Sequence, residues 1–493
     1  MEKGRRSRGG SAFSGIRWAS SSQALVAATQ LASGIVLFKL LPVEVIGIAA
    51  MAHVVTGFAQ QLRELGTRMA VVQRPELSRE ILDSAFLLNV AVGAGLAAAV
   101  AAVSPLAVAF YREEALLLPL LALASVFAIG SLGQVHRALL TREMRFAWLG
   151  VIDAGAALVQ AGVAIALAWR GYGIWSIVLG EIALAGVGSL VAWAARPWRP
   201  GLRIRRRALR ELLGFGANLM GFNLANYFLQ NADRLIIGRV LGADALGLYA
   251  FAQRITLFPI RTLGSSVTNV LVPRFALDQD DPQAFARNFA RAAAGATLLA
   301  LPLLGALAVL IAPLVEIYDP KWRHAVWLVV LLCPVGIVQS LTRTLGPALI
   351  AKGRPDVLFR IGLMVGGAVL LGSLVGVRFG VVGVAVAFVL TTTLTGLTAF
   401  VMSGRPLSVP MRPVLRALAS ILAAGGLSVA VMTAARLLLE AHGIGPWGVI
   451  GVAGGLGALL YWGLVVWLEP PAYHDLRRLL GLRGGARRPA SAS

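Results

Sequence analysis

The chain has almost no cysteine and few charged residues for its length. Cys333 is the only cysteine in 493 residues, which excludes a disulfide scaffold and cysteine metal clusters. Charged residues make up 14%, against about 25% in ordinary soluble domains. The five histidines lack metal-ligand spacing, and phosphate-loop, HExxH and GxSxG motifs are missing. We therefore expect no metal, no cofactor and no enzymatic activity.

Apolar residues and positive charge are what the chain has in excess. Hydrophobic residues make up 58% and the formal net charge is +22, with a mean hydropathy of +0.77. A nucleic-acid-binding protein can be this basic, but a soluble chain could not bury so much apolar surface. The combination predicts a membrane protein with its basic residues concentrated on one side, and no nucleic-acid partner.

Fourteen apolar segments are long enough to cross a bilayer core of about 30 Å. They are 18–41, 43–62, 84–109, 115–137, 147–169, 173–195, 212–237, 245–270, 290–315, 324–350, 357–378, 381–402, 413–437 and 445–468. The basic residues before the first segment fit an uncleaved membrane helix better than a signal peptide. The sequence therefore predicts an all-α polytopic membrane protein of about 14 helices.

The distribution of basic residues predicts the orientation. An even number of helices places both termini on one side, and about 33 of the 45 Lys and Arg residues fall on that side. Because basic loops stay in the cytoplasm, we expect a multi-pass membrane protein with both termini cytoplasmic. Loops of at most about 25 residues leave no room for a soluble catalytic domain.

Residues recur at an offset of 200 positions in the two halves. The matched pairs are Gln30 and Gln230, Leu41 and Leu241, Gly47 and Gly247, Ala50 and Ala250, Ala52 and Ala252. Further along, ALLTR (138–142) resembles ALIAK (348–352). Each unit holds six helices, so the copies have the same orientation, and such parallel repeats are typical of transporters that hold substrate between the halves.

The repeat predicts a division of the chain into six parts. They are a basic cytoplasmic N-tail (1–17), an N-lobe (18–195), a basic linker (196–211), a C-lobe (212–402), two additional helices (403–468) and a basic C-tail (469–493). The linker reads as an amphipathic segment that touches anionic lipid heads. The two lobes would surround a central cavity.

Polar stripes run along two of the predicted helices. The seventh carries Asn223, Asn226, Gln230 and Asp233 within about 80° of arc, and the first carries Ser20, Gln23 and Gln30 in a similar stripe. Such groups do not face lipid without compensation. They either make hydrogen bonds between helices or form the hydrophilic wall of a substrate path.

Three arginines lie more than three residues from either end of a predicted helix: Arg254, Arg261 and Arg343. Arg254 is near mid-membrane, and Arg261 lies about 10 Å deeper on the same face. A guanidinium at this depth is energetically unfavourable unless it is paired. The group also binds phosphate oxygens bidentately. We therefore expect these arginines to bind an anion, Arg254 being the strongest candidate and Arg343 a weaker one. The alternative is an internal salt bridge, for example to Asp233.

Three acidic residues lie more than three residues from either end of a predicted helix: Asp153, Glu181 and Asp233. Each is a candidate for ion coupling. The alternative for Asp153 is a pair with a cytoplasmic arginine such as Arg145. Asp233 has the alternative of pairing with Arg254 or with a basic residue at the outer helix end.

Several stretches resemble bacterial polysaccharide transporters. They are ELGTRMAVVQRPELSREILDSAF (64–86), RALLTREMRF (137–146) and FGANLMGFNLANYFLQNADRLIIGRVLGADALGLYAFAQRI (215–255). The last contains the family pattern carried by Asp233, Gly238, Gly242, Gly247 and Tyr249. Over residues 11 to about 405 the chain is similar to lipid-linked oligosaccharide flippases of the multidrug/oligosaccharidyl-lipid/polysaccharide superfamily.

The resemblance implies two six-helix lobes in a V around a cationic cavity, and no catalysis. It implies transfer of an undecaprenyl-pyrophosphate-linked repeat unit from the cytoplasmic to the periplasmic leaflet for export of a surface polysaccharide. The partners implied are this lipid-linked oligosaccharide, membrane lipids, and polymerase or other assembly proteins around a monomer. The pyrophosphate would bind at Arg254, and the polar stripes would line the sugar path.

Two other functions remain open from the residues. One is an ion-coupled drug or cation antiporter of the same fold, although the predicted interior offers more arginines than acids and the first helix has no acid. The other is a membrane-embedded polysaccharide polymerase or ligase, which the short outer loops disfavour.

Overall fold

A computed structural model describes residues 3–63, 77–201, 226–468 and Tyr473, without the side chains of 3–17, 19–20, 258–270 and 272–274. All regular structure in these ranges is helical. The helices are α1 (Lys3–Leu40), α2 (Val43–Arg63), α3 (Arg79–Tyr111), α4 (Leu117–Ser131), α5 (Gln134–Arg142), α6 (Phe146–Trp169), α7 (Ile174–Ala195), α8 (Ala232–Leu277), α9 (Pro282–Tyr318), α10 (Val326–Thr342), α11 (Leu345–Ala351), α12 (Pro355–Gly376), α13 (Gly380–Met402), α14 (Gly404–Leu407), α15 (Met411–Ala441) and α16 (Pro446–Leu468).

Twelve stretches of the described chain are long and apolar enough to cross a membrane. One of them, Pro355–Leu407, holds two long helices, α12 and α13, joined by a turn at Gly380 with φ of +74°. The protein is therefore an all-α, multi-pass membrane protein. The count of 14 stays a prediction, because most of the predicted seventh segment (212–237) lies outside the described residues.

Helix α1 begins earlier than the sequence predicts. The basic stretch predicted as an N-tail, 1–17, continues the helix from Lys3 onward. Arginine and serine at the start of an apolar helix do not interrupt it, since no proline intervenes and arginine is a good helix former.

The predicted fourth segment (115–137) is broken into two helices, α4 and α5. Side chains of α7 bind carbonyl groups beside the break. Ser189 Oγ donates to the carbonyl oxygen of Ile129 at 2.8 Å, and Trp193 Nε1 donates to that of Leu132 at 2.9 Å. A methyl group on Gly133 would lie 3.0 Å from Ser189 Cα, so the glycine in the break allows α7 to pack closely against it.

The predicted tenth segment (324–350) is broken in the same way, into α10 and α11. Hydroxyl groups at the end of α10 and in the break bind carbonyl oxygens of α10: Ser340 Oγ donates to Ile337 O at 2.7 Å, and Thr344 Oγ1 to Leu341 O at 2.8 Å. The two breaks precede the matching sequences ALLTR and ALIAK. They are a structural feature shared by the two predicted repeats.

The chain divides into two compact units, 1–251 with 377–384, and the remainder. In the first unit α6 packs on α1 and α7, and α3 packs on α4. In the second, α9 packs on α10, α15 and α16. The buried rings of Phe275, Phe285, Phe289 and Phe400 contribute to the core of this second unit. The lobe boundaries at 18–195 and 212–402 stay predictions.

The first residues of the predicted linker (196–211) are docked on the first unit. The ring of His136, at the start of α5, is fully buried, stacks on Trp193 and contacts Trp198. Its Nε2 lies 3.1 Å from the carbonyl oxygen of Trp198. The backbone N–H of Gly201 donates to Asp83 Oδ1 of α3 at 2.8 Å. Residues 202–211 lie outside the described ranges.

Candidate functional site

The motif that carries the family resemblance forms a closed helical hairpin. Helix α8 contains a kink at Gly242, whose φ of +85° is a left-handed conformation that favours glycine. Asp233 lies before the kink and Tyr249 lies after it. The Tyr249 hydroxyl donates to Asp233 Oδ2 at 2.7 Å, and the N–H of Arg234 donates to Oδ1 at 2.9 Å. Asp233 is 1% exposed, so its ordered partners offset the cost of burying the carboxyl group.

The other two glycines of the motif permit close packing. A methyl group on Gly238 would lie 2.7 Å from the ring of Tyr111 on α3, and one on Gly247 would lie 2.2 Å from the carbonyl oxygen of Val43. Real Cβ atoms do not approach so closely, so both positions require glycine. The described residues of the motif therefore determine the bend of α8 and its packing on neighbouring helices.

The contact at Gly247 has a counterpart in the first half of the chain. A methyl group on Gly47 would lie 1.8 Å from the carbonyl oxygen of Ala243. Gly47 and Gly247 are 200 positions apart, and so are Val43 and Ala243. Each glycine thus packs on the carbonyl oxygen of the residue four positions before the other glycine. A two-fold relation between the two segments produces such reciprocal contacts. This geometry supports the predicted repeat.

The three candidate anion ligands differ in how they are placed. The side chain of Arg254 is exposed on α8, about 18 Å along the helix from the kink at Gly242. Arg343 is half-buried at the break between α10 and α11, and within the described part of the chain its Nε is buried without a hydrogen-bond partner. The side chain of Arg261 lies outside the described residues. Sequence reasoning placed Arg343 inside a helix and could not locate the break.

The predicted polar stripes are partly visible. Gln23 and Gln230 are exposed, and Gln30 and Asn226 are half-buried. Asn223 lies outside the described residues. Asp233 does not share the exposure of Gln230, because it is bound to Tyr249 instead.

The acidic candidates have distinct partners. Asp153 pairs with Arg137, a basic residue of the predicted cytoplasmic loop. Arg145, the partner suggested by the sequence, lies 3.8 Å from Glu143. Glu181 Oε1 accepts a hydrogen bond from Gln160 Nε2 at 2.9 Å and lies 3.7 Å from His53 Nε2.

Sequence reasoning missed His53 as a candidate functional residue. It judged histidines by metal-ligand spacing, for which His53 has no companion. The signal available was its place: it is the one ionisable side chain in α2 between Glu44 and Arg63. An ionisable residue inside a membrane helix is by default a candidate for function.

The fold is that of known membrane transporters. It matches the structure of the lipid II flippase MurJ in an inward closed conformation with a TM-score of 0.71 at 13% identity, over 93% of this chain and 99% of that one. An inward-facing multidrug resistance MATE transporter of the MOP superfamily matches with a TM-score of 0.61 at 16% identity, over 78% and 94%. These likenesses define the fold class.

Sequence comparison gives the family. Residues 36–327 match the model of the polysaccharide biosynthesis protein family, and the chain belongs to that family. It is 28% identical to the teichuronic acid biosynthesis protein TuaB of Bacillus subtilis over 74% of this chain and 78% of that protein. It is also 28% identical to the lipopolysaccharide biosynthesis protein WzxC of Escherichia coli, over 79% and 80%.

These comparisons confirm the family and fold class expected from the sequence. The protein is a multi-pass membrane protein of polysaccharide biosynthesis with a flippase-like fold, and it is not an enzyme. The family and the fold favour transport over the polymerase or ligase alternative.

Proposed function

We propose that the protein flips an undecaprenyl-pyrophosphate-linked oligosaccharide repeat unit from the cytoplasmic to the periplasmic leaflet by alternating access. The protein would act in the bacterial inner membrane, with both termini cytoplasmic, for export of a surface polysaccharide. Family membership and the fold of a lipid II flippase support a lipid-linked saccharide as cargo. The observation that carries the proposal is the exposed guanidinium of Arg254 on a membrane-spanning helix.

Arg254 suits the pyrophosphate because of where its charge lies. At about 18 Å from the kink it is deep in an apolar core of about 30 Å. Charged groups at such depth are rare and commonly mark a substrate or ion path. Its planar fork binds two phosphate oxygens at once, which an ammonium group cannot do. Arg343, with its unsatisfied Nε, and Arg261 are further candidates for the same anion.

The amides of the two polar stripes have a different role in this proposal. Gln23, Gln30, Asn226 and Gln230, together with Asn223, would contact sugar hydroxyls along the path. Amides both donate and accept hydrogen bonds, so they can bind hydroxyl groups without fixing one sugar identity. Polymerase and other assembly proteins would receive the unit, and the protein itself would act as a monomer.

The likeness to a MATE transporter supports one alternative, an ion-coupled drug or cation antiporter. Such a protein needs acidic groups available to a cation. Asp153 is paired with Arg137, and Asp233 is hydrogen-bonded to Tyr249, so neither of these two acids is available to a cation.

The decisive experiment measures lipid-linked repeat units in cells that lack the protein. We expect these units to accumulate on the cytoplasmic face and surface glycan to disappear. Normal surface glycan without accumulation would contradict the proposal, and drug sensitivity with normal glycan would favour the antiporter.

The role of Arg254 is tested by complementation with confirmed expression. Arg254→Ala should lower glycan export by about tenfold or more, since hydrogen bonds to charged groups contribute about 1.5–3 kcal/mol. Arg254→Lys should restore part of it, because the charge remains and the fork is lost. Arg378→Ala, at an exposed arginine in the turn before α13, is the matched control. Equal export by Arg254→Ala and the control would remove Arg254 from the mechanism.

A further inference from the structure

Three membrane-spanning helices of the first unit bring a titratable pair together. His53 of α2 and Glu181 of α7 lie with Nε2 and Oε1 3.7 Å apart, and Gln160 of α6 donates to the same Oε1 at 2.9 Å. The side chain of His53 is 49% exposed and that of Glu181 is 26% exposed. Water can therefore reach the pair, while Gln160 holds the carboxylate in place.

The pair lies at a depth where ionisable groups are costly. His53 is ten residues after Val43, or about 15 Å along α2, and Glu181 is about 10 Å along α7 from Ile174. Both distances place the groups inside the apolar core. Ionisable residues kept at such depth commonly serve proton or ion transfer.

The hydrogen bonds of His53 determine which proton is exchangeable. Its Nδ1 lies 2.7 Å from the carbonyl oxygen of Ala49, which can only accept, so Nδ1 carries a hydrogen. In neutral His53 the other nitrogen, Nε2, then presents a lone pair to the carboxylate oxygen of Glu181. Two acceptors facing each other repel, and one proton on either atom converts the repulsion into attraction. The geometry thus provides a place for a single proton between the two atoms.

The helices packed around the pair carry further titratable groups. On α7 Glu181 is the only titratable side chain, and α4 has none over Leu117–Ser131. On α6 the acid is Asp153, two turns from Gln160 and paired with Arg137. Two elements pack on α2: α3 carries Arg79, Glu80, Asp83 and Tyr111, and the short turn Glu114–Leu116 carries Glu114. Helix α5 packs on α7 and carries His136, Arg137 and Arg142. The phenol of Tyr227 donates to the carbonyl oxygens of Val54 at 3.0 Å and His53 at 3.3 Å.

We propose that His53 and Glu181 form a proton-binding site that couples proton movement to transport. The proton comes from water on one side of the membrane, binds between Nε2 and Oε1, and leaves to water on the other side. The coupling rests on the proposed flippase function, whereas proton binding does not.

The contact with Tyr227 gives a path from the pair to the substrate region. Tyr227 lies one residue after Asn226 in the helical stretch 226–230, which also carries Gln230. Its hydroxyl sits on the α2 backbone at His53 and Val54. A proton that draws His53 toward Glu181 would therefore alter the surface on which this stretch rests.

Proton binding is tested without substrate, on the full chain in lipid vesicles, by infrared difference spectra between about pH 5 and pH 8. We expect a protonation band that is lost in both Glu181→Gln and His53→Gln. Glu440→Gln, at an exposed glutamate paired with Arg436 on α15, should keep it. Identical spectra for the wild type and both site variants would overturn the proposal.

Coupling is tested in the same vesicles with undecaprenyl pyrophosphate that carries a fluorescent label. One coupled proton should change the steady-state distribution of the label about tenfold per unit of pH difference across the membrane. Glu181→Gln and His53→Gln should lose this dependence, and Glu440→Gln should retain it. Transport by the wild type that ignores the pH difference would overturn the coupling alone. Absence of transport with an intact protonation band would count against the flippase function and leave the proton site standing.

Discussion

Gly47 and Gly247 each lie where a methyl group would meet a main-chain oxygen of another helix, at 1.8 Å from Ala243 and 2.2 Å from Val43. Neither carbonyl is a flexible side chain that could turn away, so the helices themselves would have to separate. We expect Gly47→Ala and Gly247→Ala to lower stability by about 1–3 kcal/mol each. Gly95→Ala, on α3 with nothing within 4 Å of its Cβ position, is the control.

The readout is the thermal unfolding midpoint of the purified protein in detergent. Both contact variants should melt below the wild type, and the Gly95 variant at or above it. Because the two contacts are equivalent, the two losses should be similar. A wild-type unfolding midpoint for either variant would contradict the close helix contact at that glycine.

The buried bond between Asp233 and Tyr249 holds the two arms of α8 together across Gly242. Tyr249→Phe leaves the carboxyl group with one partner fewer in a buried site, which should cost about 1–3 kcal/mol. Asp233→Asn keeps the shape and an acceptor, so its loss should be smaller. In the double variant the two losses should not add, since both changes remove the same bond. Unfolding midpoints of the three variants give the coupling, and strictly additive losses would contradict it.

At the scale of the element, the packing of the first linker residues on α5 depends on the neutral form of the buried His136. Burial lowers the pKa of His136, the hydrogen bonds to backbone carbonyls oppose that shift, and nearby Arg196 lowers the pKa further. In the unfolded chain histidine titrates near about 6.5. The unfolded state therefore binds the proton more readily, and the stability contributed by the neutral ring is present above about pH 6.5 and lost below it.

We expect the unfolding midpoint of the wild type to fall as the pH is lowered from about 7.5 to 5.5, a range that spans the ordinary titration of histidine. His136→Gln should melt lower at neutral pH and show a smaller further fall on acidification. His442→Gln, at the exposed end of α15, should follow the wild type. An unchanged fall in His136→Gln would mean that this packing does not supply the pH dependence.

Elements with one dominant signal could be predicted from the sequence, and elements set by tertiary contacts could not. The apolar run 147–169 predicts α6 (Phe146–Trp169) within one residue at its start, because length and hydropathy alone determine a lipid-spanning helix. The break after Ser131 was missed, since the groups that bind its carbonyls, Ser189 and Trp193, lie on another helix. Ion pairs behave similarly: the sequence supplied several arginines for Asp153, and packing selected Arg137.

The whole molecule carries a strong bias of charge, with about 33 of 45 basic residues on the predicted cytoplasmic side. The anionic inner leaflet attracts these groups, by about 1 kcal/mol for each Lys or Arg near the surface. The positive charge of these loops would in turn attract an anionic lipid headgroup to the same predicted face. The orientation itself can be measured with reporter fusions.

Alkaline phosphatase fused after Gly171 or Gly443, at loops between helices that the topology places outside, should be active, because the enzyme folds only in the periplasm, where disulfides form. Fusions after Glu143 or Gly353 should be inactive, since the basic loops there remain in the cytoplasm. The alternation depends on an even number of crossings between Gly171 and Gly443, including the predicted seventh helix. Active fusions at Gly171 and Gly353 with inactive ones at Glu143 and Gly443 would indicate one crossing fewer or more between those halves. That outcome would remove the parallel repeat and, with it, the equivalence of the paired glycines.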